Sequence, residues 1–119
     1  MLNSFRFPAI YLIIFALSTA LINTAYARSI DCDKVKAPTE YAICSNPELH
    51  DVDVRLNTAY REALGAVGKS SKEGKQLIGS QRAWLKKRNF AWENRKGDCY
   101  QNVSCLVEMY EEHIRNIEN

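Results

Sequence analysis

Four cysteines constrain the fold of this chain more than any other feature of its sequence. They are Cys32, Cys44, Cys99 and Cys105, and all four follow the apolar N-terminal stretch. An even number of cysteines in a short exported chain predicts disulfide bonds, and four cysteines allow three pairings. We favour Cys32 with Cys44 and Cys99 with Cys105, because each pair is close in sequence and closes a short loop. Each bond would add about 2 to 4 kcal/mol, with the shorter loop at the low end.

A zinc site is the alternative role for these cysteines. Neither pair has the short Cys-x-x-Cys spacing that is common in zinc sites. Export to an oxidising compartment also disfavours free thiolates. The sequence therefore predicts no metal site and no cofactor.

The first 27 residues have the pattern of an export signal. Arg6 gives a basic start, residues 9–17 are almost wholly apolar, and Ala25-Tyr26-Ala27 has the small-x-small pattern of a cleavage site. We predict cleavage after Ala27 and a periplasmic or secreted product. Residues 28–119 then form a single domain, because they are too few for two.

A membrane anchor is the competing interpretation of this leader. The apolar run over residues 7–27 is nearly long enough to span a bilayer. Ser18, Thr19, Asn23 and Thr24 interrupt that run, and the cleavage pattern follows directly. We therefore predict no stable membrane anchor after cleavage.

The charge balance argues against nucleic acid as a partner. The chain has 16 Lys and Arg against 14 Asp and Glu, and one basic residue, Arg6, belongs to the leader. Such a nearly neutral domain lacks the excess positive charge that nucleic-acid binding requires. Basic residues are concentrated in residues 82–96 and acidic residues in 108–118. We interpret these stretches as solvated faces of neighbouring helices with complementary charge.

Helix start signals mark the first half of the domain. A short helix is predicted from Pro38 to Cys44, and Asn46-Pro47 begins a second helix that ends near Gly68. Apolar residues of the second helix recur at intervals of three and four, which predicts one buried face. That face comprises Leu49, Val52, Leu56, Tyr60, Ala63, Leu64 and Val67.

A third helix is predicted over residues 71–94. Ser70-x-x-Glu73 fits a capping box at its start. Gly74 and Gly79 are expected to weaken its first turns by about 1 kcal/mol each relative to alanine.

A fourth helix is predicted to begin between residues 102 and 104, after a break at Gly97-Asp98. Its predicted inner face comprises Leu106, Met109, Tyr110, Ile114 and Ile117. No strand pattern or internal repeat competes with these helices. The predicted fold class is all-α, a small disulfide-bonded bundle of three main helices plus a short N-terminal helix.

Two charged residues fall within the predicted buried faces. Asp53 lies among the apolar residues of the second helix, and Arg88 follows Trp84 by one helical turn in the third. An unpaired buried carboxylate is strongly unfavourable. We therefore hypothesise that Asp53 and Arg88 form an ion pair that fixes the register of the two long helices.

Groups that could carry out catalysis are few. The only histidines are His50 and His113, and no nucleophile motif marks one serine among the others. Neighbouring carboxylates such as Asp51 and Asp53 do not face each other on a helix, so they cannot flank one bond. We predict no catalytic residue and no enzymatic activity.

The segment between the third and fourth helices is the candidate contact region. A disulfide between Cys99 and Cys105 would hold this segment closed. Aromatic side chains such as tryptophan and tyrosine dominate binding hot spots, although at helical spacing they are more often core residues. The candidate binding residues are Gly97, Asp98, Tyr100, Gln101, Asn102 and Trp92.

Several elements of this sequence, taken in order, resemble a known family. They are Glu40-x2-Ile43-Cys44-x4-Leu49-x3-Asp53-x2-Leu56-x3-Tyr60, then Gln81-x2-Trp84-Leu85-x2-Arg88, then Cys99, Cys105-Leu106 and Tyr110. Together they resemble the LprI-type lysozyme-inhibitor domain, over about residues 30–117. The sequence departs from that family in lacking a lipoprotein cysteine and in having His113 where an arginine is expected.

The resemblance implies an inhibitor in the cell envelope that acts by occlusion rather than by chemistry. Its implied partner is lysozyme or another cell-wall hydrolase. The alternative is a periplasmic structural or interaction module whose motif residues serve only the fold. A test of inhibition distinguishes the two, because only the first reduces the activity of a wall-degrading enzyme.

Overall fold

The computed structural model describes residues 30–119, which form four α-helices and contain no strand. The helices are α1 (Pro38–Ser45), α2 (Pro47–Val67), α3 (Lys72–Glu93) and α4 (Val103–Glu118). The predicted all-α bundle of three main helices plus a short N-terminal helix is confirmed for this part of the chain. None of these helices is both long enough and apolar enough to cross a membrane. The predicted export signal, residues 1–27, lies outside the described residues.

Side chains at the helix starts explain where α2 and α4 begin. The side chain of Asn46 accepts hydrogen bonds from the backbone N–H groups of Glu48 and Leu49 at the start of α2. Asn102 accepts one from the N–H of Cys105 at the start of α4. These bonds satisfy N–H groups that have no partner within the helix.

The start of α3 differs from its prediction. Ser71 is the capping residue, and its hydroxyl accepts from the N–H of Gly74 at 2.9 Å. The capping box predicted for Ser70 and Glu73 is therefore wrong: the cap lies one residue later, and Gly74, three residues after Ser71, has no side chain that could complete such a box. The Ser71 hydroxyl also donates to the carbonyl oxygen of Gly68 at 2.8 Å, so this side chain joins the end of α2 to the start of α3.

Most of the core lies where α2 packs against α4, with α1 and the second half of α3 covering its sides. Ile43, Leu49, Leu106 and Tyr110 are completely buried. The periodicity of α2 predicted most of its buried face, but Val67 is 42% exposed because α2 ends there. The remaining core members include Val52, Leu56, Ala59, Trp84, Ala91, Cys99 and Ile114.

Contacts distant in sequence fasten α1 to the rest of the bundle. Cys32 and Cys44 are disulfide-bonded, with their Cα atoms 5.7 Å apart, which ties the segment before α1 to its last turn. The carboxylate of Glu93, at the end of α3, accepts from the hydroxyl of Thr39 at 2.8 Å and from its N–H at 3.3 Å. A carboxylate at this position is also favoured by the positive end of the α1 dipole.

Candidate functional site

The segment between α3 and α4 is a short loop closed by a disulfide. Cys99 and Cys105 are bonded, with their Cα atoms 5.3 Å apart, and Cys99 is buried against the core. With Cys32 and Cys44 also bonded, none of the four cysteines has a free thiolate that could bind zinc.

Backbone hydrogen bonds hold this loop against the end of α3. The N–H of Cys99 donates to the carbonyl oxygen of Ala91 at 3.2 Å, and the N–H of Gln101 donates to that of Trp92 at 3.3 Å. Gly97 makes the close approach possible, since a Cβ there would lie 2.5 Å from the carbonyl oxygens of Phe90 and Ala91. The loop therefore has little conformational freedom left to lose on binding.

The predicted binding residues divide into exposed and structural positions. Asp98, Tyr100 and Gln101 are exposed, and Gln101 has a φ of 49°, in the left-handed region. Asn102 is also exposed, but its side chain caps α4. The remaining two, Gly97 and Trp92, are half-buried, and Trp92 packs against the hydrophobic core.

An acidic depression lies beside the loop. A cavity of about 530 Å³ is bounded by the disulfide, by the loop and by one face of α4. Its charged residues are the acidic Asp98, Glu108, Glu111 and Glu112 and the basic Lys87 and Arg115. The sequence indicated the acidic stretch of α4, but only the fold places it next to the disulfide-closed loop.

One carboxylate of this depression has a partner on α2. Arg55 forms an ion pair with Glu111 and a weaker one with Asp51, 3.4 Å away. The hydrogen bond from Arg55 lowers the pKa of Glu111 and raises the pKa of Arg55 itself. The other three carboxylates that line the depression form no salt bridge among residues 30–119.

A buried polar cluster joins α2, α3 and α4 at the centre of the bundle. Asp53 and Arg88 are 2% and 5% exposed, and Arg88 Nη1 lies 3.6 Å from Asp53 Oδ1. The hydroxyl of Tyr110 stands between them, donating to Asp53 Oδ1 at 2.8 Å and accepting from Arg88 Nη1 at 3.1 Å. Asn57 and Asn89 meet the remaining polar atoms of the pair. The structure thus brings Asp53 and Arg88 together through a tyrosine that the sequence hypothesis did not include.

Aromatic rings of α3 and α4 pack beside this cluster. Trp84 meets Tyr110 edge to face, with ring centroids 4.8 Å apart, and stacks on His113 at 4.5 Å. His113 Nε2 lies 2.8 Å from Gln81 Oε1. Burial, and to a lesser extent the charge of Lys87, lowers the pKa of His113, while burial raises the pKa of Tyr110. His113 is therefore a packed core residue of α4.

The fold and the loop define a small disulfide-bonded helical domain with one rigid exposed segment. The family model described as lysozyme inhibitor LprI matches residues 32–116, which is nearly all of the described part. The chain belongs to this family, and the resemblance seen in the sequence is confirmed. No match was found among curated proteins or among solved structures. The two disulfides fit an oxidising compartment.

Proposed function

We propose that this chain is an exported inhibitor that covers the substrate cleft of a lysozyme-type cell-wall hydrolase. Membership of the LprI family over residues 32–116 is the observation that carries this proposal. In this proposal residues 1–27 direct export and are removed after Ala27, leaving one domain in the periplasm or outside the cell. The chain then acts by binding alone, without a catalytic residue of its own.

The proposed contact surface is the disulfide-closed loop together with the acidic depression beside it. Tyr100 is 38% exposed on a loop whose backbone is already fixed, so little entropy is lost when it docks. Tyrosine is among the residues that most often dominate binding energy at interfaces. The carboxylates of the depression would attract a hydrolase with a basic surface and so accelerate the encounter.

A lysis assay tests the proposal. The full chain is expressed with export, and the processed protein is added in increasing amounts to a basic lysozyme acting on bacterial cell walls. Inhibition should rise with concentration and saturate. Undiminished lysis by several lysozymes at micromolar protein would instead favour the alternative, an interaction module for another envelope partner.

A pair of tyrosine substitutions tests the contact surface. Tyr100→Ala should weaken inhibition on the order of tenfold or more if this side chain is a hot spot. Tyr41→Ala is the matched control, because Tyr41 is 57% exposed on α1 and lies outside the loop. Equal inhibition by the two variants, with unchanged circular dichroism, would contradict a contact through the loop.

A further inference from the structure

A second concave surface lies between α2 and α3, away from the disulfide-closed loop. This groove has a volume of about 900 Å³, within the range of roughly 300 to 1,000 Å³ seen for small-molecule sites. Its walls are largely apolar. Leu56, Tyr60 and Leu64 of α2 and Ile78 and Leu85 of α3 line it.

The buried polar groups that border the groove already have partners. Asp53 and Arg88 border the groove. Asp53 accepts hydrogen bonds from Tyr110 and Asn57, and Arg88 donates to Asn89. Gln81 is bonded to His113. Among residues 30–119, no buried side-chain polar atom lacks a hydrogen-bond partner. The polar atoms that are already buried beside the groove therefore need no partner from an apolar ligand segment lying along its walls.

The exposed charge around the groove is mainly positive. Arg61, Lys69 and Arg82 line it, all three are exposed, and none forms a salt bridge with another residue of 30–119. Among the described residues, the only lining carboxylate besides Asp53 is Glu40, which accepts hydrogen bonds from the backbone before α1. The groove thus combines apolar walls with two guanidinium groups and one ammonium group that form no salt bridge within the described part of the chain.

We propose that this groove binds a long-chain fatty acid. The acyl chain would lie along the apolar walls, and its carboxylate would reach Arg61 or Arg82 at the edge. Guanidinium groups bind carboxylates through two parallel hydrogen bonds, which suits them to this head group. An acidic amphipathic helix would match the same charges, but a cavity of small-molecule size favours the single acyl chain.

Titration of the processed protein, residues 28–119, with dodecanoate tests this site. Calorimetry should show saturable binding, and amide NMR shifts should concentrate on the residues of α2 and α3 that line the groove. Butanoate has the same head group without the long chain, and dodecyl maltoside has the same chain without the charge, so both should bind more weakly. Absence of saturable dodecanoate binding, or binding of an acidic amphipathic peptide in its place, would overturn the proposal.

Charge-reversed variants locate the head group. The pair Arg61→Glu and Arg82→Glu should weaken dodecanoate binding by about tenfold. The matched control is Lys72→Glu with Lys86→Glu, which makes the same change in net charge at exposed positions of α3 outside the groove. Equal weakening by both pairs would show general charge attraction and reject the site. The experiment needs no hydrolase, so its outcome is independent of the proposed inhibition.

Discussion

A single hydroxyl group determines how the buried charges of this protein are held. Asp53 and Arg88 are too far apart for a direct hydrogen bond, and the Tyr110 hydroxyl bridges them. Because burial raises the pKa of Tyr110, this group stays protonated and continues to donate to Asp53. Removing one charged member of such a cluster leaves the opposite charge buried without compensation. The resulting loss of stability is larger than the net stability that the intact cluster contributes.

Substitution of Arg88 by methionine tests this cluster. Arg88→Met should lower the free energy of unfolding by about 3 to 5 kcal/mol, because Asp53 loses the only cation that pairs with it among residues 30–119. Asp53→Asn in the same chain should restore part of the loss, since it removes the uncompensated charge. Chemical denaturation of both single variants and the double variant measures this coupling. Additive effects in that cycle would show that the two residues act independently.

At the scale of helices, the turn between α2 and α3 depends on one glycine for space. A Cβ on Gly74 would collide with the backbone carbonyl of Gly68, which itself has a φ of 82°. The sequence interpretation counted both Gly74 and Gly79 only as weak helix formers. For Gly79 that interpretation holds, because nothing lies within 4 Å of a Cβ built there.

The two glycines should therefore respond in opposite directions to alanine. Gly74→Ala should destabilise the protein by about 1 to 3 kcal/mol, because the backbone of the turn must move. Gly79→Ala should stabilise it by up to about 1 kcal/mol, because alanine is the better helix former. Thermal melts followed by circular dichroism compare the variants. A similar gain in both would mean that the turn is not tightly packed.

Local signals made the helices themselves predictable. The third helix was expected over residues 71–94 and spans Lys72–Glu93, and Asn46 caps α2 as its sequence indicated. These features depend on neighbouring residues, so the sequence contains them directly. The one-residue error at Ser71 arose because Glu73 made Ser70 the better match to a capping box, whereas the helix is capped by the Ser71 hydroxyl alone.

The bridging contacts were not predictable in the same way. Glu93 meets Thr39 across 54 residues, and Tyr110 meets Asp53 across 57. Sequence periodicity places Asp53 and Tyr110 on inner faces, but it does not identify which residue of another helix they touch. The position of the acidic depression beside the loop was unpredictable for the same reason. It depends on how α4 packs against the other helices after the disulfide-closed loop.

At the scale of the whole molecule, the small size of the domain makes its disulfides decisive. A domain of this length buries a smaller fraction of its surface on folding than a larger domain does. The free energy of unfolding of native proteins is typically only about 5 to 15 kcal/mol. Loop-closure entropy assigns about 3 kcal/mol to the Cys32–Cys44 bond and about 2 kcal/mol to the Cys99–Cys105 bond. Their sum is comparable to the lower end of that stability range.

Loss of both disulfides should therefore leave little folded protein at physiological temperature. Replacing only Cys99 and Cys105 by serine should lower the melting temperature by roughly 10 °C, because about 2 kcal/mol of stability is lost with this bond. Replacing Cys32 and Cys44 should lower it further, since that bond also fastens the segment before α1. Thermal melts of the three variants measure this order, and the intact mass after alkylation without reductant verifies that the parent protein has no free thiol. An unchanged melting temperature in the variant lacking all four cysteines would show that helix packing alone stabilises the fold.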